Sequence, residues 1–328
     1  MARRRHPPGR LDDAARAGWL YYIAGRNQDE VAAAMGISRQ AAQRLVALAV
    51  SERLVRFWMD HPIARCLDLA RALTDRFGLR SAEVVPSDPG ADGGTTGLGE
   101  AGADEMARWL RSERPIVMAV GTGRSLKAAI DHLPPISCPQ SCIVSLTGNI
   151  GPDGSAAYYN VIFSMAEAVE ARHFPMPLPV FASSADERAV MHAQPLIRST
   201  LALAAAADVA FVGIGEMGDE APLYLDRFLT REELAAERAA GAVGEICGWI
   251  FDRDGRLLRA GAGTRTASAP IPDRDRAAVV ALAKGRRKLP AIAAALRGRL
   301  INGLITDEST AEALLEEADP APLRPPTR

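Results

Sequence analysis

The chain has 328 residues, 48% of them apolar and 24% charged, and a formal net charge of −1. This much apolar material excludes disorder over most of the length, and 28 Gly and 4 Cys exclude collagen-like and disulfide-scaffold proteins. The longest apolar stretch, residues 201–214, contains Asp208 and is shorter than the ~20 residues of a membrane-spanning helix, so we expect no membrane partner. The length predicts two or three domains.

Positive charge is concentrated at the start of the chain. Residues 1–60 contain 10 Arg against 6 acids, whereas the remaining residues contain 29 bases against 34 acids. The excess of Arg favours a polyanionic partner for the first part, although a solvated Arg-rich tail would have the same charge. Arg3–Arg5 are not followed by the apolar core of a signal peptide, so we expect a cytoplasmic protein.

The four cysteines predict neither a metal site nor a disulfide. Cys66 and Cys247 are isolated, and Cys138 and Cys142 have no nearby second pair or His that would complete a zinc site. Reduced, structural thiols are typical of a cytosolic protein. We therefore expect no metal and no other cofactor.

The first predicted helix covers Leu11–Gly25. Its small and apolar residues recur at the three-four spacing of a buried stripe. The stripe consists of Leu11, Ala14, Ala15, Gly18, Trp19, Tyr22 and Ile23.

The next residues predict a helix, a tight turn and another helix. Asn27 has Glu30 three residues later, which is the spacing of a capping box that starts a helix over 28–35. Gly36 ends this helix, and Ser38 caps a third one that extends to about residue 52. The small and apolar residues of this segment have the spacing that a DNA-binding helix-turn-helix requires: Val31, Ala32, Met35, Gly36, Ile37, Ala42 and Leu45.

Polar side chains at the start of the third helix are the candidate DNA contacts. Once the buried face is assigned, they are left facing outward where a recognition helix enters the major groove. Their types bind base edges and phosphates, and an ordinary solvated face would contain the same types. We predict that residues 1–60 bind duplex DNA through Ser38, Arg39, Gln40, Gln43 and Arg44.

Residues 61–78 form the predicted connection to a second domain, 79–328. Ile63–Phe77 has the apolar spacing of an amphipathic helix, and Gly78 closes it. Such a helix either forms a dimer seam or docks on the next domain, and we favour the seam.

Short apolar runs alternate with helical segments in the second domain. This alternation predicts an α/β fold with a mainly parallel sheet that is covered on both faces and binds ligands at the carboxyl ends of its strands. After a strand at 82–85, the predicted strands are 116–120, 142–146, 178–181, 209–214, 246–251, 279–282 and 301–305. The predicted helices are 103–111, 125–132, 157–171, 195–206, 231–240, 288–297 and 308–317.

Four loops follow predicted strands and contain glycine or charged residues. In Gly121-Thr122-Gly123-Arg124-Ser125, the glycines let backbone amides approach an anion at a helix start, and Arg124 and Ser125 add donors. A plain turn between strand and helix would also contain glycines. Residues 147–149 and 213–216 form two further loops. The fourth contains Lys284 and Lys288, and a cation such as Lys288 at a helix start favours an anion beside it.

The chain resembles the SorC family of sugar-binding transcriptional regulators. The N-terminal match is QDEVAAAMGISRQAAQRL at 28–45. In the second domain the matches keep the family's order from residue 121 to residue 308: GTGRS at 121–125, LTGNIG at 146–151, GIGEMG at 213–218, GAVGEICGWIFDRDG at 241–255 and KGRRKLPAIAAALRGRLINGLITDE at 284–308.

The resemblance implies an effector domain akin to the sugar-phosphate isomerase and deaminase fold, used for sensing. It also implies a homodimer or homotetramer on a palindromic operator, with a small sugar, polyol or sugar phosphate as effector. Carried over by position, Gly121, Thr122, Gly123, Arg124, Ser125 and Lys288 would hold a phosphate. Gly148, Asn149 and Glu245 would lie around hydroxyl groups. The family usually has Asp at the position of Glu245 and often Thr at that of Ser125, so the size of the ligand stays open.

Two functions remain in competition. The first is a DNA-binding regulator whose operator affinity depends on a bound carbohydrate. The alternative is an active sugar-phosphate isomerase or deaminase fused to a DNA-binding module. None of the five His lies in a recognised strand-end loop with a partnering carboxylate, so we assign no catalytic residue and expect no enzyme activity.

Overall fold

The computed structural model describes residues 8–52, 54–55, 63–88, 94–151, 153–155, 159 and 161–316. The chain divides into two compact units, residues 1–62 and 63–328. Arg3–Arg5 lie outside the described residues, as do parts of the predicted helices at 157–171 and 308–317. None of the helices in the described ranges has the length and apolar character that crossing a membrane would need.

The smaller unit contains the predicted helix-turn-helix. It consists of α1 (Pro8–Gly18), a π-helix (Trp19–Ile23), α2 (Gln28–Met35) and α3 (Arg39–Ser51). The capping box is confirmed, because the Asn27 side chain accepts from the amide of Glu30 at 3.0 Å and the Asn27 amide donates to the Glu30 carboxylate at 2.9 Å. Gly36 ends α2 in the left-handed conformation, with φ 66°, and Ser38 Oγ accepts from the amide of Ala41 at 3.2 Å.

The apolar stripe predicted for the first helix is wrong at Ala15, which is exposed while Ala17 is buried, and it is wrong beyond Gly18. Trp19 is 56% exposed and Ile23 67% exposed, since the α-helix changes to a π-helix at Trp19 and the three-four spacing no longer follows one face. Gly18 itself packs tightly, because a Cβ there would lie 2.8 Å from Ala49 Cβ. The core of this unit contains Ala17, Val31, Ala32, Ala42 and Val46.

The larger unit alternates helices and strands. From its start to the middle of the chain the elements are α4 (Ala64–Phe77), β1 (Ser81–Val85), α5 (Leu98–Leu110), β2 (Val117–Val120), α6 (Arg124–His132), β3 (Ile136–Ile150), α7 (Val161–Ala168) and β4 (Val169–Pro179). The next are α8 (Ala185–Ala193), α9 (Pro195–Ala205), β5 (Val209–Gly213), β6 (Gly215–Glu216), α10 (Pro222–Leu225), α11 (Arg231–Ala239), β7 (Ala242–Ile246) and β8 (Trp249–Asp252). The last are β9 (Ala278–Leu282), α12 (Leu289–Arg297), β10 (Gly303–Asp307) and α13 (Glu308–Glu316), with 3-10 turns at Gly261–Thr264 and Arg286–Lys288.

Seven strands form one parallel sheet in the order β1-β10-β9-β5-β2-β3-β4. One apolar cluster joins one face of this sheet to α5, α6 and α7, and a second joins the other face to α4, α9, α12 and α13. The predicted α/β class and the mainly parallel sheet are therefore confirmed. After β2 the chain continues to β3 and β4 on one side, and then returns to β5 on the other side, so β2 and β5 flank the point where strand order reverses.

The run 246–251 is a hairpin rather than the predicted single strand. β6, β7 and β8 form a separate three-stranded antiparallel sheet. Cys247 and Gly248 make the turn between β7 and β8 with φ values of 54° and 81°. A pair of left-handed residues matches the twist of a two-residue hairpin. The predicted helix at 157–171 is also shorter than expected, because β4 begins at Val169.

The helix predicted as a linker belongs to the larger unit. Cys66 and Leu73 of α4 are buried in the apolar cluster that includes α13, and the Arg65 guanidinium donates to the Glu312 carboxylate. The structure thus shows docking of α4 on its own domain. A role for its exposed face in a dimer stays a prediction.

One carboxyl group makes folding of this sheet sensitive to pH. Glu83 of β1 is half-buried against α5, and burial raises its pKa from 4.5 to about 7, with Arg108 opposing the shift and Glu105 and Asp104 adding to it. The folded chain therefore keeps a proton that the unfolded chain releases between about pH 4.5 and 7, so the free energy of unfolding should fall as the pH rises through this window.

Glu83→Gln should remove this fall in the free energy of unfolding, because the side-chain amide of Gln does not ionise. We expect the variant to exceed the wild type in the free energy of unfolding by roughly 1–3 kcal/mol at pH 8, with a smaller difference at pH 5. Urea unfolding at both pH values measures this. The exposed Glu113→Gln serves as control, and an equal effect of Glu83→Gln at both pH values would contradict the assignment.

Gly148 is required by the close approach of β3 and β4. A Cβ at this position would lie 2.3 Å from the carbonyl oxygen of Leu178 and 2.5 Å from the carbonyl of Pro179. Gly148→Ala should therefore lower the free energy of unfolding by roughly 2–3 kcal/mol. Gly213→Ala is the matched control, because its nearest contact would be Thr122 O at 3.3 Å, and it should cost less. Equal losses in thermal unfolding would argue against a steric origin.

Candidate functional site

The reversal of strand order places three of the predicted loops side by side. The loop after β2 lies next to the one after β5, because the Gly121 amide donates to Phe211 O at 2.8 Å. Strand β3 is the other neighbour of β2, so its end also meets this group. β3 extends to Ile150, so it contains the predicted loop 147–149. The start of the loop after β2, the end of β3 and the region of α7 line a small pocket, which we call the strand-end pocket: Gly121, Thr122, Ser145, Thr147, Gly148, Asn149, Tyr159, Val161 and Ile162. The structure thus brings four predicted effector residues together, namely Gly121, Thr122, Gly148 and Asn149.

Asn149 has a polar atom available for a ligand in this pocket. Its Oδ1 is buried and has no hydrogen-bond partner within the described part of the chain. The Thr122 hydroxyl is already used, since it donates to the backbone carbonyl of Tyr159 at 2.8 Å. A buried oxygen without a partner is costly, so a ligand hydroxyl donating to Asn149 would be favourable.

Two glycines give the predicted anion loops the same backbone form. Gly123 precedes α6 with φ 121° and ψ 172°, and Gly285 precedes the 3-10 turn that leads into α12 with φ 105° and ψ 147°. A Cβ at either position would meet no atom within 4 Å. No side chain caps either helical start, so their first amides are open to an anion.

Arg124 and Lys288 lie within electrostatic range of each other. Burial lowers the pKa of Lys288, and the nearby Arg124 charge lowers it further, whereas Glu245 and Glu216 oppose the shift. Two cations at this distance repel each other, and an anion between them would relieve the repulsion. A phosphate site built from the 121–125 loop and Lys288 stays a prediction.

Glu245 lies in β7, where it pairs with Gly215 of β6. Its Oε2 accepts from the amide of Gly248 at 2.8 Å, and its carboxylate covers Gly215, where any Cβ would lie 2.1 Å from Oε1. Burial raises the pKa of Glu245 and Asp226 adds to this, while the Gly248 amide and Lys288 lower it. Glu245 therefore faces the Lys288 side of the site with one oxygen already committed to the hairpin turn.

Asp226 is near the predicted site residue Arg124, and sequence reasoning missed it. It ends α10, a four-residue helix without a periodic sequence signal. Burial raises the pKa of Asp226, and the Arg124 charge opposes this. Each of four side chains thus has two electrostatic neighbours: Arg124 is near Asp226, Asp226 near Glu245, Glu245 near Lys288, and Lys288 near Arg124. We call these four side chains the charge ring.

Lys284, the other lysine of the fourth loop, does not belong to the charge ring. Its ammonium lies 3.9 Å from the Asp307 carboxylate, with both side chains less than 10% exposed, and donates to Thr96 O at 3.2 Å. The Gly285 amide donates to Thr310 Oγ1 at 2.9 Å. These contacts fix the loop that presents Lys288 without placing Lys284 in the site.

The described histidines do not form a catalytic group at the strand-end pocket. Each is within hydrogen-bond distance of a backbone carbonyl: His132 of Ala128 O, His173 of Ala171 O and His192 of Ala267 O. None of the three lines the pocket. Over the described ranges, no group of three or more His, Cys, Asp or Glu side chains has the arrangement of a metal site.

The predicted DNA-contacting residues lie on the exposed side of the smaller unit. Ser38, Arg39, Gln40, Gln43 and Arg44 are all exposed at the start of α3. Arg39 Nε lies 3.5 Å from the Asp29 carboxylate of α2, with both side chains 67% exposed. The arrangement leaves these five side chains accessible to a groove of duplex DNA.

The chain is similar to known regulators over nearly its whole length. Residues 61–316 match the Sugar-bind family model, which describes a sugar-binding domain. The erythritol catabolism regulatory protein EryD of Brucella abortus (strain 2308) is 35% identical over 303 residues, covering 92% of this chain and 96% of that protein. The transcriptional regulator LsrR of Klebsiella pneumoniae is 31% identical and covers 92% of both chains.

A solved structure agrees with these matches. The full-length sorbitol operon regulator SorC from Klebsiella pneumoniae superposes with a TM-score of 0.70 at 26% identity, covering 95% of this chain and 100% of that one. These similarities include the smaller unit as well as the larger one, and they favour a regulator over the isomerase or deaminase alternative. The chain belongs to the SorC family of sugar-binding transcriptional regulators.

Proposed function

We propose that this regulator binds a palindromic operator through α3 and a small polyol, sugar or sugar phosphate at the strand-end pocket and charge ring. The observation that supports the proposal is the strand-end pocket, which Asn149 lines at the reversal of strand order, together with the electrostatic influence of Arg124 and Glu245 on Lys288. In parallel α/β sheets ligands bind at this point. The protein senses its ligand without turning it over and acts in the cytoplasm.

The name of the relative EryD directs the choice of ligand. That protein is an erythritol catabolism regulator by name and is 35% identical to this chain. A short polyol or its phosphate fits the two kinds of group present here. Asn149 and Glu245 suit hydroxyl groups, whereas the 121–125 loop and Lys288 suit one anion.

Ligand binding controls operator affinity only through a difference between two arrangements of the protein. A ligand that binds both equally shifts neither. One helix-turn-helix contacts few base pairs, so symmetric half-sites require at least a dimer, and the proposed regulator is a homodimer or homotetramer.

Replacement of the candidate base-reading residues should weaken DNA binding. Arg39→Ala and Gln43→Ala should each cost roughly 1–3 kcal/mol of affinity for a duplex selected by the protein in vitro, because each loses a contact to a base edge. Fluorescence anisotropy at fixed salt measures this. Arg111→Ala, an exposed arginine of the larger unit, should leave affinity unchanged. Wild-type affinity in the double variant would refute the assignment of α3.

Removal of the Arg124 and Lys288 charges should selectively weaken the binding of phosphorylated ligands. The measurement is thermal stability with a panel of sugars, polyols and their phosphates, on wild type and on Arg124→Ala with Lys288→Ala. A phosphate that stabilises the wild type should bind the double variant at least tenfold more weakly, or about 1.4 kcal/mol. Arg111→Ala with Lys127→Ala is the charge-matched control.

Two results would contradict this assignment. Equal stabilisation of wild type and double variant by phosphorylated ligands would mean that the phosphate site is elsewhere. Stabilisation of the wild type by unphosphorylated polyols alone would mean that these loops bind hydroxyl groups.

A further inference from the structure

The charge ring contains two acids as well as two cations. Strand β6 contacts both α10, which Asp226 follows directly, and the turn Arg286–Lys288, and Gly215 of β6 pairs with Glu245 of β7. Within this group of elements, Asp226 lies within electrostatic range of Arg124 and of Glu245, and Lys288 lies within range of Arg124 and Glu245. The like charges are therefore adjacent, so the ring has a cationic side and an acidic side. The four residues come from the start of α6, the end of α10, β7 and the turn before α12.

The opposite charges of the ring do not pair directly. Within the described part of the chain, no carboxylate of the ring lies within 4.0 Å of a ring cation. The side chains of Arg124, Asp226 and Lys288 also have no hydrogen-bond partner there. Charges that are near one another without a direct ion pair can each form a contact with a ligand. Burial of Asp226, which raises its pKa, removes water that would otherwise solvate the carboxyl.

The backbone holds Asp226 in place. Its amide donates to Pro222 O at 2.9 Å, and the next two amides, of Arg227 and Phe228, donate to Tyr224 O at 3.0 Å and Leu223 O at 2.8 Å. Arg227 has φ 62°, a left-handed conformation that residues other than glycine seldom adopt. Leu223 and Leu229 anchor both sides of this turn in a buried cluster. The Asp226 carboxyl is thus presented from a fixed position.

We infer that Asp226 is a specificity-determining residue of the effector site, which accepts hydrogen bonds from ligand hydroxyls and excludes ligands with a second anionic group. This inference rests on the proposed function, because it assigns a role within that site. A polyol monophosphate places its anion on the Arg124 and Lys288 side and its hydroxyls on the acidic side. A bisphosphate or a sugar acid phosphate places a negative charge against Asp226 and Glu245, which repel it.

The test compares Asp226→Asn with wild type by isothermal titration calorimetry in the full-length protein. The probes are erythritol, erythritol 4-phosphate, fructose 1,6-bisphosphate and inorganic phosphate. The variant should bind the polyol monophosphate at least tenfold more weakly and the bisphosphate more tightly than the wild type does. Asp226→Glu keeps the charge and should restore discrimination against the bisphosphate. Asp219→Asn, whose carboxylate is 92% exposed on the same segment, should behave as wild type.

The outcomes separate the inference from the proposed function. One outcome would overturn the inference alone. In it, the wild type binds the monophosphate, and Asp226→Asn has the same ratio of monophosphate to bisphosphate affinity as the wild type. The same change in Asp219→Asn would also overturn it, because the effect would then be one of net charge. Failure of the wild type to bind any probe, inorganic phosphate included, would overturn both.

Discussion

The reversal of strand order between β2 and β5 is the constraint on which the proposed effector site depends. Connections diverge to opposite sides of the sheet at this point, so the loops after β2 and β5 leave a crevice that no crossover helix covers. The Gly121 amide bonded to Phe211 O keeps the two strands in register at its base. β3 follows as the next neighbour, and its carboxyl end contributes Asn149. The small antiparallel sheet then contributes Glu245 through the pairing of β6 with β7.

The two lysines of the 284–288 loop differ in whether their charge has a partner within the protein. Lys284 is buried beside Asp307 and bonded to Thr96 O, so its charge is compensated within the protein. Removing one partner of such a pair leaves an uncompensated buried charge, which is strongly destabilising. Lys288 is four residues later, with Arg124 as a repelling neighbour and no direct ion pair in the described residues. The fixed loop therefore carries an unpaired cation to the site.

Local sequence signals were sufficient for the parts of the fold that depend on neighbouring residues. The capping box of Asn27 and Glu30 and the Gly36 turn follow from contacts within four residues, and the apolar runs of the parallel sheet follow from burial on both faces. The glycine loops at 121–125 and 147–149 were identified as site candidates because both follow such runs. Their meeting in one pocket depends on strand order, which only the structure gives.

Other features had no local signal. The apolar run 246–251 has no Gly-Asn type of turn, so the hairpin at Cys247 was missed, and α10 is too short to show periodicity, so Asp226 was missed. The change from α- to π-helix at Trp19 shifts side chains without a break in the apolar pattern. In each case a tertiary contact or an uncommon backbone conformation outweighs the periodic preference.

The hairpin turn at Cys247 has a consequence for redox chemistry at the site. Its thiol is buried below Gly121, where a Cβ would lie 3.0 Å from Sγ. Burial raises the pKa of Cys247 to about 12, with the nearby Glu245 charge adding to the shift and Thr147 opposing it. The thiolate is the form that reacts with peroxides and alkylating agents. A cysteine directly beside the 121–125 loop is thus kept in its protonated form, which reacts slowly with such reagents.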